Sequence, residues 1–183
     1  MAANHKRYFK YIDPLLVLFP KFIAHPLYSL FKNTEGGIGL IIRYLCIKKI
    51  AMKCGTNIAV FPRCELKHIE KMSFGDNVSI HTMCYIDAIG GVSIGNNVSI
   101  AHASSLVSFN HTYDDPTKPI KYNPSVYGKI VINDDVWIGC GCRILAGVEI
   151  SKRVVIAAGA VVNKNVDGNS LYAGVPAKKI KSI

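Results

Sequence analysis

Residues 132–162 read INDDVWIGCGCRILAGVEISKRVVIAAGAVV, and an aliphatic side chain returns at every sixth position: Ile132, Ile138, Ile144, Ile150, Ile156 and Val162. A period of six fits neither an α-helix at 3.6 residues per turn nor a strand that alternates faces every two. It is the period of a parallel β-helix, in which each short flat strand forms one side of a triangular coil and the periodic aliphatic points to the axis. Small and turn-forming residues between the aliphatics, as in IGCGCR and IAAGAV, suit the corners, where positive φ is tolerated. Successive coils stack at about 4.8 Å, giving one continuous core. A β-sandwich of short strands would not hold six aliphatic positions in unbroken register.

The same count runs upstream through Phe74, Ile80 and Ile86, and again through Ile94, Ile100 and Leu106. The step from Ile86 to Ile94 is eight residues, which reads as a two-residue corner insertion at Gly90 and Gly91. Between Leu106 and Ile132 the repeat breaks, and the break opens on His111. Residues 109–129 contain Pro116, Pro119 and Pro124, which resist strand pairing. An excursion of this length with no evident structure of its own is usually functional.

Composition narrows the alternatives. The chain has 183 residues, half of them hydrophobic, enough for one sizeable core. Its net charge of +10 is spread over separate clusters around Lys6, Lys48 and Lys178, without the interleaved aromatic and basic pattern of RNA-binding modules, so no nucleic-acid partner is expected. Six cysteines form no paired CxxC, which argues against a zinc knuckle. With no secretory leader read, they are expected as free thiols in a cytoplasmic protein. The apolar stretch YIDPLLVLFPKFIAHPLYSLF (11–31) is interrupted by Pro14, Pro20 and Pro26 well short of the roughly 20 residues a span needs. It reads as helical segments packed on a neighbouring surface, with a peripheral contact at the inner face of the membrane as the alternative.

Four stretches, SIGNNVSIAHASSLVSFNH, INDDVWIGCGCRILAGVEI, VVIAAGAVVNKNV and YAGVPAKKIK, resemble the hexapeptide-repeat acyltransferases, nearest to the maltose and galactoside O-acetyltransferases and the polysaccharide acetyltransferases. The resemblance covers roughly residues 57–181 and implies a left-handed coil. The expected organisation is a mainly helical region over 1–56, a left-handed β-helix over 57–167 with the projecting loop 109–129, and a C-terminal tail over 168–183. The implied activity is acetyl-CoA-dependent O-acetyl transfer to a saccharide or glycan precursor, with the site shared between subunits of a homotrimer and no metal.

The resemblance also assigns roles. His111 matches the catalytic histidine. Imidazole, with an ordinary pKa of about 6.5, can take a proton from an attacking hydroxyl, an effect of about 10² to 10⁴-fold. Asp114 or Asp115 is a candidate to orient it. Asp87, one residue out of alignment, is a candidate acceptor contact. Cys140 stands where relatives often carry a serine whose backbone N–H faces the reacting thioester, a contribution that a change of side chain leaves in place; a nucleophilic thiol is the other reading. Trp137, Ala158 and Asn163 match positions along the pantetheine arm, and Lys164, Lys178 and Lys181 match basic positions near the nucleotide phosphates.

Three other functions share these features. One is N-acetylation of an amino sugar, another acetylation of a xenobiotic. The third, from a different class, is a catalytically idle β-helix scaffold or a zinc site built from His81, His102 and His111. His5, His25 and His68 fall in no recognisable constellation.

Overall fold

The computed structural model describes residues 20–183. Among the described residues two helices, α1 (Lys21–Phe31) and α2 (Gly36–Ile50), precede a parallel β-helix with three faces. The first face stacks Lys53–Cys54, Met72–Phe74, Val92–Ile94, Ile130–Ile132 and Glu149–Ile150. The second stacks Ile58–Val60, Val78–Ile80, Ser99–Ile100, Val136–Ile138, Val154–Ile156 and Ser170–Ala173. The third stacks Glu65–Lys67, Tyr85–Asp87, Ser105–Val107, Arg143–Ile144 and Val161–Val162. The twelve periodic residues from Phe74 to Val162 all point inward, none more than 2% exposed. The chain thus reads as the sequence predicted, since every sixth side chain must enter the axis for neighbouring coils to share one core.

Register corrects one detail. The late coils advance by 18 residues, as in the pairs Ile132 with Ile150 and Trp137 with Val155. The early coils advance by 20, as in Lys53 with Ser73, Ile58 with Val78 and Glu65 with Tyr85. The extra pair lies at the corner between the third and first faces, called here the third corner. Leu66 to Phe74 is eight residues, Ile86 to Ile94 eight, Leu106 to Ile132 twenty-six, and Ile144 to Ile150 only six. Insertion at Gly90-Gly91 is therefore one of a series. Gly90 is required there because a Cβ would lie 2.2 Å from the Ser108 carbonyl oxygen of the next coil.

The corners force left-handed backbone at fixed heights. Asn57, Asn77, Asn97, Asp135 and Arg153 all have positive φ at the first corner, and Arg63, Met83, Ala103, Gly141 and Gly159 at the second. Asn and Gly accept this readily, whereas Arg63, Met83 and Arg153 adopt it at a cost of about 1–2 kcal/mol that the stacked ladder must offset. The asparagines repay the constraint with a ladder of their own: Asn57 Nδ2 donates to Asn77 Oδ1 at 3.0 Å, and Asn77 Nδ2 to Asn97 Oδ1 at 2.9 Å.

The excursion over 109–129 does have internal structure. Phe109–His111 pairs antiparallel with Ser125–Tyr127, and the buried Asn123 ties the intervening loop by accepting the Asp115 N–H at 3.0 Å. The C-terminal residues also pair: Lys178–Ser182 adds antiparallel to Ser170–Ala173 and extends the second face.

The helices close the first coil. Arg43 of α2 is 1% exposed and donates from Nε to the Val60 carbonyl at 2.7 Å and from one Nη to the carbonyls of Phe31 and Thr34 at 3.0 and 2.7 Å. One guanidinium thus joins the end of α1, the turn after it and the first coil. A Cβ at residue 39 would lie 2.2 Å from the Thr34 oxygen and 2.9 Å from that guanidinium, so Gly39 makes room for the clamp. Arg43→Met keeps the volume and removes the donors, stranding buried carbonyls. It should lower the unfolding free energy by about 3 kcal/mol, read as a shift in the denaturant midpoint at unchanged slope; a shift within error would mean that apolar packing alone holds the helices.

Candidate active site

Two edges of the prism carry the candidate site residues. The second corner, between the second and third faces, presents backbone N–H groups. Gly139 N–H donates to the Ile156 carbonyl at 2.8 Å and Gly141 N–H to the His102 carbonyl at 3.0 Å, but among the described residues no acceptor meets the Cys140 N–H between them. One coil on, Ala157 and Gly159 donate at 2.8 Å each to Tyr172 and Cys140, and the Ala158 N–H is likewise free. The corner thus offers two outward N–H groups about 4.8 Å apart, the coil spacing. Trp137 stands beside them on the second face, 55% exposed, and the exposed Lys178 and Lys181 lie further along that face.

The third corner carries the side chains. His111 ends the inner strand of the hairpin, opposite Ser125, with its imidazole exposed. Ser125 Oγ lies 3.5 Å from His111 Nδ1, the outer limit of a hydrogen bond, and Phe109 packs edge-on to the ring at 5.9 Å. The Asp115 carboxylate is occupied elsewhere. It pairs with Lys118 at 2.8 Å and accepts the hydroxyl and N–H of Thr117, contacts that hold it below the usual carboxylate range. Among the described residues the contacts of His111 are thus with Ser125 and Phe109, and none is with Asp114 or Asp115. Asn163 and Lys164 are exposed at the same corner two coils further on.

Asp87 lies one coil before the hairpin root. It is 6% exposed, and its Oδ1 lies 2.9 Å from His68 Nδ1 and accepts the Ile89 N–H at 3.2 Å, while Tyr85 OH donates to Oδ2 at 3.3 Å. His68, which sequence reading left without a constellation, is therefore built into the site. Its partner is 19 residues away in sequence, close to one early coil, and the 20-residue advance is the signal that would have found it.

The imidazoles of the zinc reading do not converge. His81 stacks on Phe61 at 4.8 Å on the second corner, where burial and then neighbouring His102 lower its pKa, while His111 leaves from the third corner. Among the described residues no group of three or more His, Cys, Asp or Glu is placed to hold a metal ion.

Residues 129–164 match the family model for the bacterial transferase hexapeptide (six repeats). The fold is similar to a maltose O-acetyltransferase from Clostridium difficile 630, with a TM-score of 0.80 and 27% identity over 92% of this chain and 88% of that one. It is also similar to a galactoside acetyltransferase in complex with coenzyme A, with a TM-score of 0.78 and 29% identity over 89% of this chain and 80% of that one. A stretch of 58 residues is 43% identical to a 2,3,4,5-tetrahydropyridine-2,6-dicarboxylate N-acetyltransferase from Staphylococcus aureus, covering 32% of this chain and 24% of that relative. The match to this curated relative thus spans about a quarter of its length. The fold is a parallel β-helix, and residues 129–164 carry the hexapeptide repeat. Its coil is consistent with the left hand the resemblance implied, and its structural neighbours are acetyltransferases.

The thiols sort by exposure, and none is paired in a disulfide. Cys46, Cys64, Cys84 and Cys142 are buried, and Cys54 and Cys140 are half-buried. Burial pushes Cys46 up to about 12 and raises Cys142; a hydrogen bond with Cys64, then burial, raises Cys84. Iodoacetamide on the native protein should therefore modify Cys140 and Cys54 and spare the other four until unfolding. Peptide mass mapping that found Cys142 modified in the folded state would mean that the second corner opens.

Proposed function

We propose that the protein is an acetyl-CoA-dependent O-acetyltransferase acting on a saccharide or glycan precursor, working as a homotrimer with His111 as general base. The observation that carries the reading is the separation of two incomplete half-sites. His111 and Asp87 occupy one edge, Trp137 and the free N–H groups of Cys140 and Ala158 another, one face apart, roughly 15 Å. A second copy bringing its second corner against this third corner completes a groove, and a three-faced prism with one such pair of edges suits threefold closure.

In that groove the acceptor hydroxyl attacks the thioester carbonyl while His111 takes its proton. The carbonyl oxygen gathers negative charge against the Cys140 N–H, and collapse breaks the carbon–sulfur bond, the departing sulfur taking the proton back from His111 to leave as the coenzyme A thiol. Cys140 serves through its backbone, and the thiol stays unmodified. Trp137, Ala158 and Asn163 line the pantetheine arm; Lys164, Lys178 and Lys181 supply positive charge for the phosphates. The galactoside acetyltransferase neighbour bound to coenzyme A supports the donor.

Transfer to an amine by the same machinery is the second reading, favoured by the match to an N-acetyltransferase. Among the described residues no helix is long and apolar enough to cross a membrane. A cytoplasmic setting with peripheral contact at the inner face of the membrane belongs to this proposal, supported by exposed Phe22, Leu30, Ile38 and Met52, with Lys21 and Lys53 next to Phe22 and Met52 in the chain.

Release of coenzyme A, screened against maltose, methyl galactoside, nucleotide sugars, isolated glycans and glucosamine, tests the activity. No turnover of any acceptor would count against it. On a turned-over acceptor, His111→Ala should lower kcat/KM by about 10² or more. Beside Cys140→Ala, which loses the thiol alone and should keep its rate, Cys140→Pro also removes the backbone N–H. The first coil already carries Pro62 at the same corner position, so the fold should accept it, and kcat should fall by about 10² to 10³. Equal rates for this variant and the wild type would remove the N–H from the mechanism.

The shared groove has its own check. Light scattering should give three times the chain mass, and mixing the inactive His111→Ala and Cys140→Pro chains, then reassembling them, should restore part of the activity. A fully active monomer would overturn the trimer.

A further inference from the structure

The pair His68–Asp87 belongs to none of the roles above except for Asp87 as a candidate acceptor contact, and the geometry reassigns that contact. A carboxylate can only accept, so at 2.9 Å His68 Nδ1 must carry the proton. Asp87 Oδ1 also takes the Ile89 N–H, and Oδ2 takes Tyr85 OH, so most of its accepting capacity is used inside the protein. Its side chain is 9% exposed, against 35% for His68. The solvent-facing member of the pair is the imidazole. With Nδ1 protonated, the neutral ring presents Nε2 as a lone pair, fixed in direction by the carboxylate behind it.

The backbone places it deliberately. His68 has φ 58° and ψ 46°, in the left-handed region, within the widened corner between Leu66 and Phe74. Asp87 accepts at its carbonyl the Ser108 hydroxyl at 2.7 Å and N–H at 3.1 Å, and Ser108 in turn accepts the Gly128 N–H at its carbonyl, at 2.9 Å. The pair is thus pinned to both roots of the hairpin that carries His111. Lys67, over the Tyr85 ring, and Lys71, bonded to the Ile89 carbonyl at 2.9 Å, flank it.

We propose that His68, held by Asp87, is an acceptor-binding residue: its Nε2 receives a hydrogen bond from a second hydroxyl of a polyhydroxylated acceptor, so that the hydroxyl to be acetylated faces His111. This rests on the acetyltransferase reading. Asp87 is then a positioning residue.

Two substitutions separate contact from scaffolding. His68→Asn reproduces Nδ1, tolerates the left-handed backbone and keeps the bond to Asp87, but offers nothing outward. His68→Gln carries its amide to the position of Nε2. In the full chain, with acetyl-CoA and whichever of maltose, methyl galactoside or glucosamine is turned over, His68→Asn should raise the KM for that acceptor about tenfold or more. KM for acetyl-CoA and kcat should move less than about threefold. His68→Gln should lie closer to wild type. Asp87→Ala should raise acceptor KM as His68→Asn does, because a freed imidazole no longer points. Wild-type KM in His68→Asn, or better rescue by Asn than by Gln, would make the pair a scaffold and overturn the inference. A collapse of kcat at unchanged KM would do the same, by making His68 a base. If none of these probes is turned over by the wild type, the acetyltransferase reading on such acceptors fails, and the inference falls with it.

Discussion

The structure depends on one constraint: adjacent coils share a single narrow axis, so an inward side chain must stack directly on the inward side chain of the coil below. Ile80 on Ile100 on Ile138 on Ile156 is such a column, each residue fully buried and paired in register with the next. A slip of one residue would turn the column outward and a polar row inward, so register is enforced at every level. The corners inherit the constraint. They must turn the chain in the same way at the same height, which is why left-handed backbone recurs at equivalent positions even where the residue is Arg63 or Met83.

That constraint also decides where function can be placed. Three corners are available, and the first is locked by hydrogen bonds between consecutive coils, as in Thr56 to Asp76 and Asn96 to Asp134. The second keeps a fixed length, and in the later coils its geometry leaves the N–H groups of Cys140 and Ala158 without an acceptor among the described residues. Rigid, regularly spaced amide groups suit stabilisation of developing negative charge, because they need no reorganisation. The third corner is where the chain adds residues without disturbing the axis: two at His68, two at Gly90-Gly91, and the whole hairpin at His111. Groups that must fit an individual acceptor are therefore expected at the elastic corner, and the common donor at the invariant one.

This division explains what the sequence disclosed. The columns were legible because burial selects aliphatics and the period is strict, and His111 stood out as a candidate because it opens the largest departure from that period. The free N–H of Cys140 followed from matching motifs, although a backbone group leaves no trace in composition. His68 and Asp87 were not joined because counting by six assigns faces and does not count corner residues, so the 20-residue advance of the early coils stayed hidden. The hairpin pairing was obscured by Pro116, Pro119 and Pro124, which lie outside its short strands. Arg43 gave no signal either, since a charged residue in an apolar helix reads as solvated until the carbonyls around it are known.

The clamp at Arg43 follows from the same geometry. A stack of coils has no natural end: its first coil exposes apolar side chains below and unpaired backbone groups at the edge, as any open sheet does. Here α2 covers that end with Tyr44, Ile47 and Ile50, all buried, but apolar packing alone leaves a helix free to slide. The guanidinium removes that freedom because its donors lie in one plane and meet carbonyls from three separate segments. Tyr28 adds a fourth tie, donating to the Cys64 carbonyl at 3.2 Å. Closing one end in this way leaves growth of the coil, and the edges that carry the site, to the rest of the chain.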